Sequence, residues 1–287
     1  MNTRALASSF VIAVAFGFAH SSFAQAPKVD FPAASPGCTL KQRVGLTDIE
    51  IVYSRPSMKG RKIFSADGLV PFGQVWRTGA NNATKITFST DVKLNGANVP
   101  AGTYALFTIP GENEWTIIIN KGAAQWGAFQ YDEKVDVVRF KTTPIKLAEH
   151  IETFLIEFND IRDESANLNL IWDDTVVPIN LEVEFASKLI PQIEAAMAAE
   201  GGNKPYYQAA MFYYDHGQDL QKASKWIDAA IAQRDAHYME YLKARILAKL
   251  GDKAGAIAAS KRSTELAIKA KDTGYVKLNE DLIASLK

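Results

Sequence analysis

Cysteine is almost absent from this sequence: Cys38 stands alone. No disulfide can form within the chain, so stability has to come from a packed core. A lone thiol needs a neighbouring base to act as a nucleophile. The simpler reading of Cys38 is a small residue packed at the start of the first strand. Histidine is scarce too, with four in the chain. None stands at HxH or HExxH spacing, which leaves a zinc centre without support. Neither GxSxG nor GxxxxGK(S/T) occurs, so a hydrolase elbow and a phosphate-binding loop are both missing. No catalytic residue is assigned, and no cofactor or metal is expected. Basic and acidic residues balance at 32 each. A nucleic-acid partner calls for a basic excess and is not expected.

Long apolar runs are also lacking. The longest stands at the N-terminus, in MNTRALASSFVIAVAFGFAHSSFAQA. Arg4 supplies a positive start, Phe10 to Ala19 is uncharged and apolar, and Ala24-Gln25-Ala26 fits small-x-small. This pattern reads as a secretory signal over residues 1–26, cut after Ala24 or Ala26. The run is too short to span a bilayer. The mature chain is therefore expected to be exported, periplasmic or extracellular, and not membrane-spanning. PKVDFPAASP follows and reads as a linker, residues 27–36.

Beyond the linker the pattern is that of strands. Thr84, Ile86 and Phe88 alternate with Lys85, Thr87 and Ser89, the period of a half-buried antiparallel strand. Asn95-Gly96 marks a two-residue hairpin. Pro100-Ala101-Gly102 and Pro110-Gly111 mark further turns around Thr103–Ile109, and Trp115, Ile117 and Ile119 share one face. These segments suggest a four-strand meander. Thr39–Gly45, Thr47–Ser54, Lys134–Phe140, Ile151–Asn159, Ala166–Trp172 and Thr175–Glu184 extend the series. Short strands separated by turn residues predict an all-β antiparallel sandwich over residues 37–185.

Two loops interrupt the strands. Arg55 to Val75 has no periodicity, and with Arg77 it carries Arg55, Lys59, Arg61 and Lys62 against Asp67 alone. Loops of this length are often functional. The next loop, WRTGANNAT, is rich in ligand-binding side chains. Arg77, Thr78, Asn81 and Asn82 form the candidate ligand site, with Arg55 from the basic loop beside them. A guanidinium suits planar anions, and the asparagines add donors and acceptors without charge. The alternative is that Arg77 pairs with an acidic residue and the asparagines only satisfy a turn. In KGAAQWGAFQYDE, Trp126, Phe129 and Tyr131 either stack on a ligand or plug one end of the sandwich.

The words YSRPSMKGR, LVPFGQVWRTGANNAT, PAGTYALFTIPG, EWTIIIN and QWGAFQYD resemble, in order, the family known as domain of unknown function 2911. The resemblance covers about residues 37–184. It implies a shared fold and export from a bacterial cell, and it supplies no activity.

After Phe185 the alternation stops and alanine becomes abundant. Gly217 and Gly251 stand 34 residues apart, and Ala223 and Ala256 stand 33 apart. That spacing resembles the tetratricopeptide repeat, with Gln218 as an extra turn residue and the usual inter-repeat proline missing. Two repeats need flanking helices, expected near 186–200 and 272–286, to complete an all-α domain over residues 186–287.

Carboxylates cluster at Asp160, Asp163 and Glu164, and at Asp173 and Asp174; both sets read as solvated hairpin tips. The whole describes an exported protein in which a sandwich binds a small polar or anionic ligand or an envelope component, and helices hold a protein partner. A cell-envelope hydrolase, with Arg77 stabilising an oxyanion, and a purely structural scaffold are the alternatives. N-terminal sequencing of the protein from its native envelope is expected to give a first residue of Gln25 or Pro27, and a chain starting at Met1 would contradict the export reading.

Overall fold

The computed structural model describes residues 30–287. The predicted signal segment and the first three linker positions lie outside the described residues. Positions 30–36 carry neither strand nor helix.

The first strands are β1 (Gly37–Val44), β2 (Thr47–Ser54), β3 (Phe64–Ser65) and β4 (Val70–Pro71). Then come β5 (Thr84–Phe88), β6 (Val92–Leu94), β7 (Ala97–Val99), β8 (Gly102–Ile109) and β9 (Trp115–Asn120). The series ends with β10 (Asp136–Thr142), β11 (Ile145–Asn159) and β12 (Ser165–Val183). One antiparallel sheet has the order β1-β2-β5-β8-β9-β10, and a second the order β11-β12-β6-β7. Their inner faces share one core. Ile49, Ile51, Ile86, Leu106 and Ile117 come from the first sheet, and Phe154, Leu168, Leu170, Ile179 and Leu181 from the second.

Three expectations need correcting. The four-strand meander is broken, because β5 pairs directly with β8. The intervening β6 and β7 form the Asn95-Gly96 hairpin and join the other sheet through β12. Both turn residues have positive φ, 47° and 79°, as the two-residue turn requires. Next, Ala166–Trp172 and Thr175–Glu184 are one strand, β12. Its inward positions are even up to Trp172 and odd from Thr175 onward. An irregularity at Asp173, with φ 55°, makes that switch, and the strand continues through it. Asp173 and Asp174 therefore do not mark a hairpin tip. Asp173 contacts His150, and Asp174 accepts from Lys146 Nζ at 2.7 Å. Lastly, the aperiodic loop contains β3 and β4, paired in parallel. Its start lies along β11, with Met58 N–H bonded to Glu152 O at 2.8 Å and Phe154 N–H to Pro56 O at 2.9 Å.

Six helices follow: α1 (Ala186–Ala198), α2 (Tyr206–Asp215), α3 (Leu220–Gln233), α4 (His237–Lys249), α5 (Lys253–Ala270) and α6 (Thr273–Ser285). The two flanking helices are α1 and α6, as expected. The repeat is visible in the packing. Ala210 and Ala244, 34 apart, are fully buried on α2 and α4, and Ala223 and Ala256, 33 apart, on α3 and α5. The one-residue difference is Gln218. Asp219 and Asp252 cap the second helix of each pair, accepting from Gln221 N–H and Gly255 N–H, both at 2.9 Å. Small buried residues here let the helices approach closely, and Ala210 and Ala223 belong to a helical core separate from the sandwich's.

Chain continuity is reinforced where β12 meets α1. Glu164 Oε1 accepts the N–H groups of Phe185 and Ala186 at 3.3 and 3.2 Å, satisfying donors at the start of α1. Phe185 packs on the sandwich core and lies 6.1 Å from the Phe212 ring of α2. His216 stacks on Phe212 at 4.0 Å and places Nε2 4.0 Å from Asp163.

Glu240 on α4 is buried and makes no ion pair among the described residues. Burial holds its carboxyl above the ordinary carboxylate range, against the weaker opposing pull of Lys243. The native chain thus binds this proton more tightly than the unfolded chain. Its contribution to stability falls as pH rises from the unfolded pKa through the raised folded one, and stays reduced above it. Glu240→Gln is expected to melt higher than the wild type at pH 7. That advantage should vanish below the ordinary carboxylate pKa of about 4.3. Melting curves across pH check both statements.

Candidate functional site

The site starts from Trp76. Its backbone exchanges two hydrogen bonds with Thr108 of β8, at 2.7 and 3.0 Å. Its ring stacks on Trp172 at 5.9 Å with an 18° interplanar angle, and meets Phe64, Trp115 and Phe154 edge-on. The indole N–H donates to Gly79 O at 3.1 Å, so the loop that follows must turn back over the ring.

That turn uses unusual backbone. Thr78 has φ 54°, rare for a β-branched residue, and Asn81 has φ 60°. Gly79, at φ 148°, passes so close to β2 that an added Cβ would lie 2.9 Å from Ser54 O. Hydrogen bonds hold each position. Thr78 is fully buried; its hydroxyl donates to Thr108 Oγ1 at 3.2 Å, and its carbonyl accepts from Thr84 Oγ1 at 2.5 Å. Thr84 N–H closes the loop onto Arg77 O at 3.1 Å. Asn81 Nδ2 donates to Ser54 Oγ and Ser35 O at 3.2 and 3.3 Å.

A second loop, residues 121–131, lies against the first. Ala83 N–H donates to Gln125 O at 3.0 Å, Gly127 N–H donates to Asn81 O at 2.9 Å, and exposed Asn82 forms a β-bridge with Trp126. The base of this loop is locked. Tyr131 packs on Phe107 at 5.2 Å, on the outer face of the first sheet, and donates to Asp136 at 2.7 Å. Burial and that carboxylate push its phenol up to about 12. Asp136 also accepts from Arg139 Nε and Asn120 Nδ2, both at 2.6 Å. Of the three aromatics expected to stack or to plug, Tyr131 covers the sheet. Trp126 and Phe129 remain 59% and 84% exposed.

Between the loops is a surface pocket of about 300 Å³. Most of its lining side chains are apolar, Leu69, Pro71, Val75 and Phe129 among them, and its polar side chains are Gln74 and Arg77. Gly127, at φ 68°, makes the convergence possible: a Cβ there would stand 2.8 Å from the Phe129 ring and 3.0 Å from Arg77 Nη1. Arg77 Nε donates to Gly79 O at 3.4 Å. Among the described residues no carboxylate pairs with it, whereas Arg139 and Arg262 each hold two.

The five candidate residues thus take different places. Arg77 lines the pocket; Thr78 points inward; Asn81 ties the loop to β2; Asn82 is exposed beside Trp126. Arg55 donates to Phe154 O at 2.9 Å and does not line the pocket. Lys62 is paired with Asp67 at 2.7 Å, and Arg61 bonds to Ser57 O and Met58 O. Sequence reasoning missed Gln74, Leu69 and Gly127. The QWGAF word was the available signal for Gly127, since a glycine between aromatics in a loop marks close backbone approach.

A larger cavity, about 730 Å³, lies elsewhere, where β6, β7 and the end of β12 meet α1. Three of its four carboxylates are occupied within the chain: Asp91 accepts Ala101 N–H, Glu164 caps α1, and Glu184 accepts from Ser187, while Glu182 is exposed. We therefore place the candidate site at the smaller pocket. No group of three side chains able to hold a metal occurs among the described residues.

The helices carry a second polar–aromatic surface. Tyr207 and Tyr214 of α2, Tyr238 and Tyr241 of α4, and Tyr275 of α6 line up across three helices. The Arg245 guanidinium lies over Tyr214 and Tyr241 at 4.4 and 5.8 Å, and Lys249 lies over Tyr214 at 3.8 Å.

Residues 35–181 match the family described as "Protein of unknown function (DUF2911)". The chain belongs to that family. The DUF2911 match runs from just before β1 almost to the end of β12, so it contains both sheets and both loops of the pocket, and the six helices lie beyond it. No curated protein and no solved structure matches the chain. Among the described residues no helix is long and apolar enough to cross a membrane.

The geometry separates two neighbours in sequence. Thr78→Val leaves a buried Thr108 hydroxyl without its partner and is expected to lower unfolding free energy by about 1–3 kcal/mol. Arg77→Met breaks no ion pair and should stay within about 0.5 kcal/mol of wild type. Urea unfolding of the two variants checks the contrast.

Proposed function

We propose that this protein is an exported binding module, periplasmic or extracellular, whose DUF2911 sandwich takes a small polar or anionic ligand or a cell-envelope component at Arg77. One observation carries the reading. Arg77 presents a guanidinium free of any carboxylate in an apolar surface pocket, on a loop mounted on the rigid Trp76 anchor. An anionic ligand would supply the counter-charge that this guanidinium lacks among the described residues.

The hydrolase alternative needs a nucleophile or general base beside Arg77. The pocket walls offer only Gln74 as a further polar side chain, which supports binding over hydrolysis. The helical domain, with its tyrosine face and its two cations, is the part that would hold a protein partner. Tyrosine and arginine are the residue types that dominate such interfaces.

Ligand-observed NMR on wild type and Arg77→Met tests the reading, with acetate, phosphate, glucuronate, N-acetylglucosamine and 3-phenylpropionate as probes. At least one probe is expected to bind the wild type and to lose most of its signal in the variant, with the two melting temperatures nearly equal. A panel on which wild type and variant behave alike would favour the scaffold alternative.

A further inference from the structure

The pocket's composition goes further than its charge. We infer that it is built for a small carboxylic acid with an apolar body, a proposal that rests on the binding reading above. The anion type follows from the cation count. Arg77 is the sole cationic side chain on the walls. With Nε committed to Gly79 O, the end-on pair Nη1 and Nη2 is left to donate. Two parallel N–H groups match the two oxygens of one carboxylate. A phosphate dianion would leave charge and lone pairs unmatched, because neither a second cation nor a helix N-terminus lines the pocket. Gln74 on the same wall adds one amide.

The body of the ligand follows from the other walls. Leu69, Val75, Ala128 and Phe129 offer contact without hydrogen-bonding side chains. A sugar ring placed there would find no side-chain partner for its hydroxyls beyond Gln74 and Arg77. An aryl or alkyl chain needs no such partner, and its burial against these walls is favourable. Phe129, 84% exposed in the free protein, is the residue with most apolar surface to gain cover. A volume near 300 Å³ limits the body to about the size of a single aromatic ring with a short chain.

Isothermal titration of the full chain with 3-phenylpropionate, 3-phenylpropanamide and galacturonate tests this. The first should bind; the amide, lacking the charge, and galacturonate, lacking the apolar body, should bind at least about tenfold more weakly. Arg77→Met should weaken 3-phenylpropionate by a similar factor. Phe129→Ala should weaken 3-phenylpropionate while leaving acetate unchanged. Equal binding of acid and amide, an Arg77→Met affinity equal to wild type, or no heat at millimolar 3-phenylpropionate would each overturn the inference. Should galacturonate, N-acetylglucosamine or phosphate bind instead, in an Arg77-dependent way, the ligand class proposed here fails and the binding-module reading stands. Should no probe respond to Arg77→Met, both fail.

Discussion

The Trp76 indole touches both sheets at once. Trp115 reaches it from β9 of the six-stranded sheet, Phe154 and Trp172 from β11 and β12 of the other, and Phe64 from β3. A buried tryptophan truncated to alanine typically costs about 3–5 kcal/mol. Here the loss would fall on a junction that joins two layers and one long loop. Aromatic pairs contribute about 0.5–1.5 kcal/mol beyond their buried area, so several around one ring also fix its orientation. That orientation dictates where the chain goes next. The indole N–H needs an acceptor, Gly79 O is the one it has, and the loop from Arg77 to Asn82 takes its shape from that bond.

Such a loop stores strain. Thr78 and Asn81 both occupy the left-handed region, and positions of this kind cost about 1–3 kcal/mol each. They persist because the surroundings over-determine them through Thr108, Thr84 and Ser54. Arg77 is thereby held on the pocket wall, and the second loop is locked from beneath by Tyr131, Asp136 and Arg139. The apolar edge at Phe129 stays open.

Much of this was legible in the residues, and the limits have physical causes. Strand alternation is local, so β2, β5 and β9 could be read directly. Helical spacing is local as well, and the 34- and 33-residue intervals found both pairs and the extra Gln218. Strand pairing is not local. Nothing in Val92 to Val99 says that this hairpin leaves its neighbours for β12. A bulge imitates a turn, because one extra residue reverses the parity that marks a strand, and so Asp173 looked like an end. At the site, Arg77 as a candidate cation was readable from the composition of the WRTGANNAT loop. Thr78 was not, since its direction depends on a buried hydroxyl of β8. The second wall was hidden too. Ala128 and Phe129 arrive from a loop about fifty residues later, through a glycine whose value is the space it leaves.

The central claim is that the Trp76 anchor makes the Arg77 loop part of the core and not a separately opening segment. Native-state hydrogen exchange measures this directly. The Trp76 and Thr84 amides, bonded to Thr108 O and Arg77 O, should exchange with the same opening free energy as the slowest β9 amides, that of global unfolding. Opening of these two amides several kcal/mol more easily than β9 would contradict the account.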